Sequence, residues 1–360
     1  MGAKWQRKPR VPKVTRPWVF DDVRKTDEVV KLYRDGYGGT VYDPEARDEL
    51  LDAQAYPDGE DVASAYFAGS GVGKLSLPFL PVQQHYEVWP KPGQETGDCV
   101  SRAGANAGLV LIGTEVASGE PDPTSGLLEG YPVVSEVARR NGVLASEALY
   151  GDRGHPGQGA SCYKLIKHAT KLGGMILRKN YTPAELGGDY EDKSHGIDLE
   201  KLNTKLGIGW GRSQTPQELR NIGKRHQIRL ATDVDNHEVA RDFINNGYPL
   251  WVCSGLGWEN KRDANGYSRR SRGWAHSWIV AGYDDRQSTH ELYGNALALF
   301  VHDWWKWNKG GRRIRGTQID IPHGCFWFDA PLLDQCDVTA VSNLSGWKRR
   351  RLPDLSPGFL

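Results

Sequence analysis

Apolar positions along the chain fall into two regimes. Between about residue 86 and residue 247 they recur with helical spacing, broken by glycine-rich and polar stretches. "DCVSRAGANAGLVLIGTEV" predicts a helix that Asp98 is placed to cap. "GASCYKLIKHATKLGG" predicts a second helix ending at Gly173-Gly174. Residues 178–214 are polar and glycine-rich and predict a long loop. "TPQELRNIGKRH" has Thr215 at a cap position, Pro216 in the first turn and Glu218 where a capping box needs it. "NHEVARDFINNG" predicts a further helix closed by Asn246-Gly247. Beyond it the pattern changes. "YPLWVCSG", "HSWIVAGYDD", "LALFVHDWW" and "GCFWFDA" are short, β-branched or aromatic, and bounded by turn residues, which predicts strands. Helices first and strands later is an α+β order, not an alternating one.

The ends are different in kind. Residues 1–25 carry Lys4, Arg7, Lys8, Arg10, Lys13 and Arg16 among prolines, with Trp5 and Trp18 as apolar anchors. They predict an extended arm that a protein partner in an assembly would hold. A lead-in with a short helix near "TDEVVKLY" follows, so that 1–85 forms arm and lead-in, 86–345 the main domain and 346–360 a basic, proline-bearing tail.

Charge narrows the function classes. There are 46 Lys and Arg against 45 Asp and Glu, a net charge of +1, so no overall field points to nucleic acid or an anionic membrane. No run approaches the roughly 18 apolar residues of a membrane span, and no apolar run follows the basic start as in a secretory signal. A cytoplasmic or virion location follows as the expectation. The five cysteines, Cys99, Cys162, Cys253, Cys325 and Cys336, are odd in number and lack a C-x-x-C pair. They predict neither a disulfide framework nor a metal site, and therefore free thiols in a reducing compartment. "AGSGVGKLS" imitates a phosphate-binding loop. However, Ala68 replaces its first glycine and Leu75 its metal-binding hydroxyl, so a plain glycine turn is expected.

Three stretches carry candidate chemistry. Cys99 stands at a predicted helix start, where outward-pointing N–H groups favour a thiolate. His276 opens a predicted strand, which would hold its ring rigidly. Asp303 ends another, where a carboxylate could accept the imidazole N–H and fix its tautomer. Taken alone, each has an ordinary structural explanation: a buried cysteine, a core histidine, a capping aspartate.

Together, Gln94…Gly97-Asp98-Cys99, His276-Ser-Trp-Ile-Val-Ala-Gly-Tyr283, Asp303-Trp-Trp305 and Gly324-Cys-Phe-Trp327 resemble the papain-like cysteine peptidases over roughly residues 86–330. The Gly-Asp-Cys triplet is similar to the calpain branch. Asp303 stands where that family has asparagine, Val100 where it has an aromatic residue, and the stretch from Cys99 to His276 exceeds the family's roughly 130–150 residues. The resemblance implies a two-lobed α+β core, helical in one lobe and built of antiparallel strands in the other, and it does not extend to the arm and lead-in at residues 1–85. It implies peptide-bond hydrolysis by a Cys99–His276–Asp303 triad, with Gln94 in the oxyanion hole, a polypeptide substrate and no cofactor. Two other functions fit the same residues. One is a structural or assembly protein, such as a virion component, on this fold. The other is a transglutaminase-like acyl transferase, which also uses an aspartate to orient its histidine.

Overall fold

The computed structural model describes residues 40–41, 68–86, 96–117, 134–187, 196–259, 261–271, 273, 275–301 and 312–344. The arm, the helix expected near "TDEVVKLY" and the basic tail lie outside them.

An antiparallel sheet of seven strands organises the molecule. Its strands are β1 (Leu75–Ser76), β2 (Ile228–Asp233), β3 (Leu250–Ser254), β4 (His276–Asp284), β5 (Leu297–Val301), β6 (Cys325–Asp329) and β7 (Asp337–Leu344). The spatial order is β6-β5-β4-β3-β7-β2, and β1 pairs with the far end of β4 beyond the reach of β3. The four strands expected from sequence are present. β2 and β7 are additional, and they complete the edge beyond β3.

Alternation along these strands sorts side chains to two faces. Trp251, Cys253, Ile279, Ala281, Leu299 and Val301 lie on one face, in a cluster with helix α2 (Cys99–Ala117). Val252, Trp278, Val280, Phe300, Phe326 and Phe328 lie on the other, with Phe243 and Ile244 of the helix His237–Asn245. The remaining helices are α1 (Leu80–Tyr86), α3 (Glu136–Asn141), α4 (Ser146–Gly151), α5 (Cys162–Lys167), α6 (Thr204–Ser213), α7 (Gln217–Gly223), α8 (His237–Asn245) and α9 (Gln287–Tyr293). The residues from α3 to α7 form a helical lobe with a small core of its own around Ala148, Ile176, Leu199 and Leu219. The α+β arrangement of a helical lobe and an antiparallel strand-rich lobe is therefore present.

Helix α2 is buried on all sides from Cys99 to Gly113, as expected of a helix without a polar face. Its glycines permit close approach. A Cβ on Gly104 would stand 2.4 Å from the Trp251 ring, and one on Gly113 would stand 2.6 Å from Val82 of α1.

Several local expectations need correction. Residues 178–214 are not one loop. Asn180–Tyr181 pairs with Ile197–Asp198, and α6 follows. Thr215 does not cap α7: Pro216 takes the cap position, and the Thr215 hydroxyl donates to the Ala148 carbonyl of α4 at 2.7 Å. A buried contact across the lobe wins over a local cap. The five thiols are not all free, since Cys162 and Cys253 form a disulfide across a Cα separation of 6.6 Å, while Cys99, Cys325 and Cys336 lie outside any disulfide. Cys162 and Cys253 are 91 residues apart, and no local pattern brings them together.

The glycine turn at residues 68–74 binds a carboxylate of its own chain. The N–H groups of Gly69 and Gly71 donate to the Asp242 side chain at 2.7 and 3.1 Å. That internal anion occupies the donors that a phosphate would need.

Candidate active site

Cys99 is the first residue of α2, as its sequence context predicted. Asp98 holds the cap position: its carbonyl accepts from the Arg102 N–H at 3.1 Å and from the Ser101 hydroxyl at 2.8 Å. Its carboxylate does not cap the helix but accepts from Arg102 Nε at 2.8 Å. Burial pushes the Asp98 carboxyl up, while the charge and hydrogen bond of Arg102 act against it.

The turn before the helix is clamped from the helical lobe. Gln158 Oε1 accepts from the Gly97 N–H at 3.1 Å, and the Gly159 N–H donates to the Gly97 carbonyl at 3.1 Å. Tyr150 of α4 lies beside Thr96, Asp98 and Cys99, and burial raises its hydroxyl pKa. Arg153 covers the Tyr150 ring at 3.9 Å and donates to the Tyr150, Gly157 and Gly207 carbonyls. Sequence reasoning singled out neither Gln158, Tyr150 nor Arg153, and nothing local marks Gln158 as the partner of Gly97.

His276 is the first residue of β4, opposite Ser254 of β3. Its ring stacks on Trp278, with centroids 6.4 Å apart and planes 22° apart. Burial lowers its pKa to about 3, so the imidazole is neutral at neutral pH. The next residue, Ser277, points to the sheet face shared with α2. Its hydroxyl donates to the Val252 carbonyl at 2.9 Å and accepts from Trp251 Nε1 at 3.1 Å. The same oxygen lies 3.3 Å from Cys253 Sγ.

Helix α2 packs directly on β4, so the elements that carry Cys99 and His276 are neighbours. Both residues are buried, at 1% and 3% exposure. Gln94 and Asp303 lie outside the described residues. Among the described residues, no group of three His, Cys, Asp or Glu could hold a metal ion, and no helix is long and apolar enough to cross a membrane.

No protein-family model and no curated protein sequence matches the chain. Solved structures do show similarity. Xylellain, a cysteine protease from Xylella fastidiosa, is 13% identical over 84% of this chain and 95% of its own, with a TM-score of 0.48. Procathepsin B S9 from Trypanosoma congolense is 8% identical over 87% of this chain and 88% of its own, with a TM-score of 0.40. Digestive procathepsin L 3 from the larval midgut of Tenebrio molitor is 10% identical over 90% of this chain and 89% of its own, with a TM-score of 0.36. Overlap at this level leaves the chemistry to be read from the chain's own residues.

Proposed function

We propose that the protein is a papain-like cysteine peptidase in which Cys99 is the nucleophile and His276 the general base, with Asp303 orienting the imidazole and Gln94 assisting the oxyanion. The observation that carries this reading is the placement of Cys99 as the first residue of a buried helix packed on the strand that His276 opens. A helix start supplies N–H groups and a favourable dipole for a thiolate. A neutral imidazole is the form able to take the thiol proton. The thiolate would then add to a peptide carbonyl, with the Cys99 N–H and Gln94 donating to the oxyanion. The imidazolium would protonate the leaving amine, and water would release the acyl group from the thioester. The substrate is a polypeptide, and the residues call for no cofactor.

The near-complete burial of Cys99 and His276 favours a second reading. In it the fold is a scaffold, such as a virion component, and the pair is part of its core. One comparison separates the two. Hydrolysis of a fluorogenic peptide library that disappears in Cys99→Ala and in His276→Ala supports the peptidase. A wild-type protein that cleaves nothing, and whose Cys99 reacts with iodoacetamide no faster than Cys325 and Cys336 at pH 6, supports the scaffold.

A further inference from the structure

The Cys162–Cys253 disulfide joins the helical lobe to the sheet at a point wired to both candidate catalytic elements. Cys162 is the first residue of α5, whose cap is the Ser161 hydroxyl accepting from the Lys164 N–H at 3.4 Å. α5 packs on α2, the helix of Cys99. Cys253 lies on the central strand β3, in register with Ser277 of β4 and Asp337 of β7. Its sulfur touches the Ser277 hydroxyl, the same oxygen that receives Trp251 Nε1. The Trp251 ring in turn seats against Gly104 of α2. The path from Cys99 through α2, α5, the disulfide and Ser277 to His276 is thus continuous, and Trp251 forms a second strut beside it. Both sulfur-bearing residues are buried, and they share one cluster with Cys99.

We propose that Cys162 and Cys253 are a positioning pair, whose disulfide fixes the strand of His276 relative to the helix of Cys99. This rests on the peptidase reading for its consequence but not for its geometry. It requires a protein of mixed redox state, with one pair oxidised and Cys99 still a thiol. Oxidation of the pair releases two protons and two electrons. A low-molecular-weight disulfide takes them up by exchange through a mixed disulfide and leaves as two thiols. Without the bridge, no bond besides the main chain itself ties α5 to β3, and a displacement near 1 Å between nucleophile and base can cost about 100-fold in rate.

The test uses the full chain. Alkylation in denaturant without reductant should modify three cysteines, and five after dithiothreitol, as read by intact mass. Five modified without reductant, in protein purified without reductant, overturns the proposal. Next, the Cys162→Ala/Cys253→Ala variant is compared with wild type well below both unfolding transitions. Expected are a fall in kcat of about 10- to 100-fold with KM nearly unchanged, and a shift to higher pH of the profile for Cys99 alkylation. A lowered melting temperature with both the profile and kcat unchanged makes the bridge a plain staple and overturns the proposal. If the variant does not fold, wild type held in dithiothreitol at low temperature gives the same readout: an unchanged alkylation profile after both sulfurs are reduced overturns it. Alkylation needs no substrate. A wild type without peptidase activity, whose Cys99 profile still shifts on loss of the bridge, would therefore fail only the proposed function.

Discussion

At His276 the burial that keeps the imidazole neutral also makes the protein acid-labile. Its pKa is about 3 in the folded chain and near 6.5 when exposed, so below pH 6.5 the unfolded chain binds the extra proton. Stability present above pH 6.5 is therefore lost as pH falls. By pH 5 the loss is about 2 kcal/mol from this group. His168 acts in the same direction, lowered to about 4 by burial. Its Nε2 lies 3.2 Å from Asp152, whose carboxyl is raised to about 6 by burial and so loses stability as pH rises from about 4 to 6. These two largely offset each other between pH 7 and pH 5, so they do not cancel the His276 contribution. Urea unfolding at pH 7 and pH 5 should show His276→Gln losing about 2 kcal/mol less than wild type on acidification. An equal loss in both proteins would place the acid sensitivity elsewhere. At Glu147 the direction is the same but the window is lower: its pKa is lowered, so its stabilisation is lost as pH falls through the carboxylate range. The carboxylate pairs with Arg178 through two 2.8 Å bonds and accepts the Asn203 N–H at 2.8 Å, which together hold its pKa low despite burial. Glu147→Gln leaves a buried guanidinium without its charge partner and should cost about 3–5 kcal/mol in urea unfolding.

Among the elements, α2 shows most directly how packing overrides propensity. Alanine at Gly104 would improve helix propensity by about 1 kcal/mol. Its methyl would, however, enter the Trp251 ring at 2.4 Å. Gly104→Ala is therefore expected to destabilise by about 1–3 kcal/mol, and to change the Cys99 alkylation rate because the helix that carries it must move. A stabilised variant would mean that Trp251 can swing aside. α8 is the contrasting case. Asn236 Oδ1 accepts from the Val239 N–H at 2.9 Å, and Gly247 closes the helix at φ +88°, so both ends are local and both were readable.

On the scale of the molecule, the segment before the predicted domain boundary is structurally committed. β1 extends the edge of β4, the Phe79 N–H donates to the Ala281 carbonyl at 3.2 Å, and Phe79 and Val82 are fully buried. A chain beginning at residue 87 would lose both side chains and expose their cluster. Losing a buried Phe alone costs about 3–5 kcal/mol. Such a chain is expected to lose its cooperative thermal transition, as followed by near-UV circular dichroism. A sharp transition retained by the truncated chain would show that β1 and α1 are accessory.

The chain alone makes legible the helices at 99–117 and 237–245, four of the sheet strands and the α+β order, because period and capping chemistry act within a few residues. It also placed Cys99 at a helix start and His276 at a strand start. The rest follows from long-range contacts. β2 joins the sheet through β7, which pairs on its other side with β3, the helical lobe takes Thr215 away from its cap, and Gln158 reaches Gly97 from another lobe element. The Cys162–Cys253 bond belongs with these. Its two residues carry no mutual signal in the chain, and they meet in the buried cluster that also holds α2. Contacts of that kind follow from which surfaces remain to be covered after the local elements form, and local sequence patterns do not encode that choice.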